Sequence, residues 1–112
     1  MTDGNWVLER AEALMDETVE DRDRVLEILN VLRQEVYPCS ETFVYGQVCP
    51  ELKRLEQFLE LDDRTAQMIL PYGLAAQLLL GEDDTKAAFF QQRYEELLRK
   101  QRRAVWETIE TA

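Results

Sequence analysis

The stretch from Ala66 to Leu79 constrains this chain most. Ala66, Ile69, Leu70, Leu74, Ala75, Leu78 and Leu79 recur so closely that a helix over residues 63–80 is apolar on most sides in its second half. A helix of that kind has to be covered by others, so it predicts the central, most buried element of a helical core. Pro71 and Gly73 lie inside it. Proline lacks a backbone donor and clashes with the preceding turn, which predicts a kink there or two helices meeting at Leu70-Pro71. Asp62 or Asp63 offers the cap, and Gly81 a stop.

The flanking segments supply the covering helices. Residues 5–17 carry Trp6, Val7, Ala11, Leu14 and Met15 at helical steps, with Asp3 or Asn5 as the cap. From about Val19 to Tyr37, Val25, Leu29, Leu32 and Val36 share a face flanked by Leu26 and Ile28. Thr18 offers the cap there, and Asp21-Arg22-Asp23-Arg24 read as its solvated start. Pro38 ends the helix by biasing Tyr37 out of α geometry. The last helix starts near Thr85, after Glu82-Asp83-Asp84, and runs toward Thr108. Ala87, Phe90, Tyr94, Leu97 and Gln101 form its inward stripe, with Ala88 and Leu98 alongside. Such a helix is about 35 Å long, so residues 99–112 are expected to project.

Two segments fit less well. Residues 38–50 are bounded by prolines and hold Thr42, Phe43, Val44 and Tyr45, which favour extended backbone. A long loop is expected, with room for a short strand, and a loop of that length invites a functional reading. Residues 51–61 are ambiguous: Leu52, Leu55, Phe58 and Leu59 have helical spacing, which is compatible with a short helix. The fold class is therefore all-α: one domain over 1–112, a small bundle of about four main helices.

Composition narrows the function. The 112 residues include no histidine, which removes Ser-His-Asp and Cys-His chemistry, imidazole metal ligation and histidine pH switching. Asp62-Asp63 and Asp83-Asp84 sit where caps are expected, and adjacent helical residues do not face each other, so capping outweighs acid–base catalysis. No nucleotide loop or nucleophile motif is present. Cys39 and Cys49 could form half of a zinc site at most, at a spacing that matches no standard pair, and are read as unpaired thiols, although a disulfide within the loop is geometrically conceivable. No cofactor, no metal and no catalysis are expected. No apolar run approaches the ~20 residues of a membrane span, and the first residues do not read as a secretory leader. A cytoplasmic location follows as the expectation.

Charge is unevenly spread. The net charge is −10, which opposes general nucleic-acid binding. Residues 1–84 carry 19 acidic and 7 basic side chains, a net −12, whereas residues 85–112 carry 4 and 6, a net +2. Arg99, Lys100, Arg102 and Arg103 lie near a helix C-terminus, where cations favour the macrodipole, so their charge has a purely structural reading beside a binding one. Val105, Trp106 and Ile109 continue an apolar side past that cluster. Trp106 is either a partner anchor, since Trp and Arg are enriched in hot spots, or folds back toward Trp6. Phe43 and Tyr45 have the same two readings: cover for the core, or contacts on an exposed loop.

The segment Leu70-Pro-Tyr-Gly-Leu-Ala-Ala-Gln-Leu-Leu-Leu-Gly-Glu-Asp-Asp-Thr-Lys-Ala-Ala-Phe-Phe-Gln-Gln-Arg-Tyr-Glu-Glu-Leu-Leu98 resembles the small helical head-tail connector (adaptor, or head-completion) proteins of tailed bacteriophages and prophages. Ile28 to Tyr37 is similar to that family's first long helix. The resemblance covers about half the chain and rests on packing residues. It implies a structural virion protein that binds the portal ring as a multimer, with twelve copies as the expected ring, and links it to the next connector, stopper or tail. It also implies that Arg99–Ile109 dock onto the portal or a neighbouring copy, and that the 38–50 loop faces neighbours or the channel. A different class is also compatible with the composition: an acidic helical module, a DNA mimic or regulator, that occupies a basic partner surface.

Overall fold

A computed structural model describes the backbone of residues 1–111 and the side chains of residues 1–104. Helices α1 (Gly4–Met15), α2 (Arg22–Val36), α3 (Asp63–Met68), α4 (Leu70–Leu79) and α5 (Asp84–Thr111) form an all-α bundle, with a 3-10 turn at Tyr37–Cys39. No strand occurs among the described residues; a single antiparallel bridge joins Asp3 to Phe58.

Helix α4 is the centre of the bundle and packs against α1, α2, α3 and α5. Leu70, Pro71, Leu74, Ala75, Ala76, Leu78 and Leu79 are all buried. Around it, Val7, Leu8, Ala11 and Met15 come from α1, and Val25, Leu29, Leu32 and Val36 from α2. Removing a buried leucine of this kind costs about 2–5 kcal/mol, because the cavity adds to the lost transfer energy.

The break near Pro71 is of the two-helix kind. Helix α3 ends at Met68 and α4 starts at Leu70, with Pro71 in its first turn, where the missing donor costs no intrahelical bond. The α3–α4 pair thus forms one of four main helical units. Asp62 caps α3 by accepting from the Thr65 amide. Asp3 caps α1 through the Trp6 amide at 2.9 Å. After α4 the chain turns at Gly81, whose φ of +91° suits glycine, and the Glu82 and Asp83 amides both reach the Leu79 carbonyl at 2.9 Å.

Four sequence expectations need correction. The cap of α2 is Asp21, not Thr18: Asp21 accepts from the Arg24 amide, and α2 begins three residues later than the apolar spacing suggested. Residues 51–61 form no helix, although Leu52, Leu55 and Leu59 are buried as a helix would bury them. Their backbone bonds instead to α2 side chains and to the N-terminal residues, and these long-range partners outweigh local periodicity. The 38–50 loop holds no strand; it opens with the 3-10 turn and folds through tight turns. On α5 the buried stripe is Ala87, Phe90, Tyr94 and Leu98, whereas Leu97 is half-buried and Ala88 exposed.

Tyr94 lies directly over Gly73. A Cβ on Gly73 would stand 2.9 Å from both Cδ1 and Cε1 of the Tyr94 ring. Glycine is therefore required there by close helix approach. The Tyr94 hydroxyl is buried without a hydrogen-bond partner among the described residues, and burial, reinforced by nearby Glu35, pushes its pKa well above the ordinary tyrosine value. Gly73→Ala is expected to lower stability by about 1–3 kcal/mol through overpacking. Tyr94→Phe should leave stability unchanged or raise it slightly, because it removes an unsatisfied polar atom. Urea titrations of the two variants check both signs.

Candidate interaction surface

The surface is built on a clasp between α2 and the helix-free segment 40–62. Asn30, Arg33 and Gln34 lie at i, i+3 and i+4, so they share one side of α2. Asn30 pairs with both backbone groups of Leu52: its Nδ2 donates to the carbonyl at 2.9 Å, and its Oδ1 accepts from the amide at 2.7 Å. Gln34 treats Cys49 alike, donating at 2.6 Å and accepting at 3.3 Å. Between them Arg33, only 1% exposed, donates to the Leu59 carbonyl through Nε and Nη2 at 3.2 and 2.8 Å, and to the Pro50 carbonyl through Nη1 at 2.7 Å. Burial lowers the pKa of this guanidinium, with Cys49 and Glu60 opposing. Its charge is met by carbonyl dipoles; no ion pair to it occurs among the described residues.

The far side of the segment is pinned by the N-terminus. The Leu59 amide donates to the Thr2 carbonyl at 2.9 Å, and the Asn5 amide to the Leu55 carbonyl at 3.1 Å. At its end, Asp62 gathers the Thr65 amide and hydroxyl, the Ser40 hydroxyl and the Glu41 amide. Burial raises the Asp62 pKa, but these donors outweigh it and hold the carboxyl below its ordinary value.

This framework fixes the loop from below and leaves its tip to solvent. Every residue from Glu41 to Val48 is exposed, with Tyr45 at 93% and Val48 at 78%. The Gln47 amide reaches the Val44 carbonyl at 3.1 Å, and Gly46 at φ +84° makes the turn that throws Tyr45 outward. Phe43 differs: its ring packs edge-on against Tyr37, centroids 5.2 Å apart, and the Tyr37 hydroxyl accepts from the Val44 amide. Of the two aromatic loop candidates, Tyr45 is thus fully presented and Phe43 is partly a loop brace.

Arg99, Lys100, Arg102 and Arg103 are all exposed on α5. Arg99, Lys100 and Arg103, with Glu96, line one shallow furrow along the helix. Arg102 points elsewhere, beside Cys39, where it partly offsets the rise that burial gives that thiol. Gln101 donates to the Cys39 carbonyl at 3.1 Å. The base of the loop and the start of the basic helix end therefore meet at Cys39, through Gln101 and Arg102. The side chains of Val105, Trp106 and Ile109 lie outside the described residues. Cys39 and Cys49 are free thiols, both buried.

Among the described residues no group of three or more Cys, Asp or Glu could hold a metal ion, and no helix is long and apolar enough to cross a membrane. Comparison with protein-family models, with curated proteins and with solved structures finds no match for this chain.

The apolar periodicity of α2 does not disclose the clasp, because Asn30, Arg33 and Gln34 lie beside that face. The signal available was three hydrogen-bonding side chains at helical spacing beside that face.

Two outcomes follow. Arg33→Met should lower stability by about 2–4 kcal/mol, because it strands buried carbonyls at Leu59 and Pro50; chemical denaturation measures it. Because the folded-state pKa of Asp62 is lowered, its contribution is complete above the ordinary carboxylate pKa and is lost as pH falls through the folded value. Asp62→Asn should therefore flatten the acid limb of a stability–pH profile.

Proposed function

We propose that this chain is a structural assembly protein of a tailed phage or prophage, a head-tail connector that binds the portal ring as a multimer and joins it to the stopper or tail. The reading involves no catalytic step. The observation that supports it most is the joining of two outward-facing elements at the Gln101–Cys39 hydrogen bond: a braced loop that presents Tyr45, and an exposed basic helix end. Both are mounted on a body of net −12. A polarised protein of this kind assembles by surface complementarity, while its acidic body keeps free copies apart and does not retain DNA passing through a channel. The resemblance of Leu70–Leu98 to the connector family adds the portal as the partner. Assembly would take place in the host cytoplasm, and the finished protein would reside in the virion. In this reading Arg99, Lys100, Arg102, Arg103, Val105, Trp106 and Ile109 form the portal-side contact, and Phe43 and Tyr45 touch the neighbouring copy.

A second reading is supported by the approach to α2 and its first turns, where Glu20, Asp21, Asp23 and Glu27 are all exposed beside only Arg22 and Arg24. An acidic helical module of that kind would occupy the nucleic-acid site of a basic protein.

Co-purification with a purified portal ring separates the two. Full-length chain should be retained, and a truncation after Leu98 should lose at least about tenfold in affinity, the scale of a lost hot spot. Tyr45→Ala should weaken multimer formation with less effect on portal capture. Equal retention of the full-length and truncated chains, or no retention of either, overturns the connector. Capture of a basic protein that DNA competes away supports the acidic module instead.

A further inference from the structure

A second surface lies on the side of the bundle formed by α1 and α3–α4, and it reaches the basic helix end at Lys100. A furrow of about 280 Å³ runs between α1 and α3–α4, with Trp6, Leu14, Met68, Pro71 and Tyr72 among its lining residues. A smaller furrow between α3 and α5 is lined by Arg64, Met68, Ile69, Leu97 and Lys100. Met68, 57% exposed, belongs to both. The two furrows therefore form one apolar surface that crosses three helical units, with Met68 as the ridge between them.

The rim of this surface runs against the charge of the whole chain. The protein has 23 acidic residues and 13 basic ones, yet Arg10, Arg64 and Lys100 line these furrows. None of the three forms an ion pair among the described residues. The Arg10 guanidinium lies 5.2 Å from the Trp6 ring centroid, which holds both side chains in place at the mouth. Arg93 stands 6.0 Å over Tyr72, but Glu96 already pairs with it at 3.4 Å. The nearby acids do not neutralise the rim. The Asp63 carboxylate accepts from the Thr2 hydroxyl at 2.7 Å and lies 3.8 Å from the N-terminal amine, and Glu9, which lines a neighbouring furrow with Trp6, Arg10 and Ala13, forms no ion pair among the described residues.

We propose that this surface seats an acidic amphipathic helix from a partner protein. Charge complementarity selects an acidic segment, since three unpaired cations surround an apolar floor on an otherwise acidic molecule. The floor is made of side chains on helices whose own backbone groups are paired, so it offers no edge to an extended strand. Apolar anchors at i, i+3 or i+4 and i+7 of a helix match such a floor, and acidic residues beside them reach Arg10, Arg64 and Lys100. Trp6 and Arg10 are the residue types that dominate binding energy at such sites. The inference does not depend on the portal as partner.

The test uses two fluorescein-labelled peptides of about 18 residues, or five helical turns. Both carry the same leucine and phenylalanine face; one has glutamate and the other lysine at the remaining positions. Anisotropy titrations with the full chain should show saturable binding of the glutamate peptide, at least about tenfold tighter than the lysine peptide. The Trp6 indole N–H resonance should shift on binding. The double variant Arg64→Glu and Lys100→Glu is at the surface, so it should melt like the parent while losing that preference. No saturable binding, equal binding of both peptides, or a preference unchanged in the double variant overturns the proposal. Sedimentation that shows self-association of the free chain, abolished by the double variant, also overturns it and makes a second copy the occupant.

Discussion

The buried guanidinium of Arg33 is the interaction on which the rest of the structure depends. More than twenty residues between the 3-10 turn and α3 form no helix or sheet of their own, and Arg33 is their most buried polar anchor. A backbone buried without secondary structure needs other partners for its polar groups. Arg33 supplies them at Leu59 and Pro50, and Asn30 and Gln34 extend the same device to Leu52 and Cys49. One side of a helix thus substitutes for the neighbouring strand of a sheet. A charge in this position is costly to desolvate, and it persists because strong carbonyl dipoles surround it.

The clasp also links the fold to its surfaces. It fixes both ends of the segment that carries the loop, so Tyr45 projects from a braced base. Asp62 closes the same framework from the other end, tying Ser40 and Glu41 to the start of α3. Helix α3 in turn places Arg64 and Met68 on the furrow beside α5. The apolar core holds the helices together, but polar bonds between side chains and backbone decide which surfaces they present.

The helices were legible in the sequence because their causes are local. Apolar spacing marked the buried faces of α1, α2 and α4, and Asp3, Asp62 and the Glu82-Asp83-Asp84 run marked helix starts. The errors have a shared cause. Thr18 has cap chemistry, but the charged run after it holds an equally able oxygen in Asp21, and it is Asp21 that accepts from the Arg24 amide. Leu52, Leu55 and Leu59 carry a helical spacing that is real, yet the segment is irregular and turn-rich because many of its amides and carbonyls find partners elsewhere. Of the candidate contact residues, the basic cluster on α5 was readable from charge alone. That Phe43 braces the loop while Tyr45 is presented was not, since it turns on the Tyr37 ring and the Gly46 turn.

The sequence by itself determined an all-α chain with a central apolar helical unit broken near Pro71, an acidic body and a basic helix end. Those properties follow from side-chain spacing, proline stereochemistry and charge, which act within a few residues. Tertiary structure alone decided the course of residues 40–62, the burial of Arg33, and the meeting of Trp6, Met68 and Lys100 on one face. The physical reason is sequence distance. Arg33 and Leu59 stand 26 residues apart, and a hydrogen bond across that gap leaves no periodic trace for a linear reading to find.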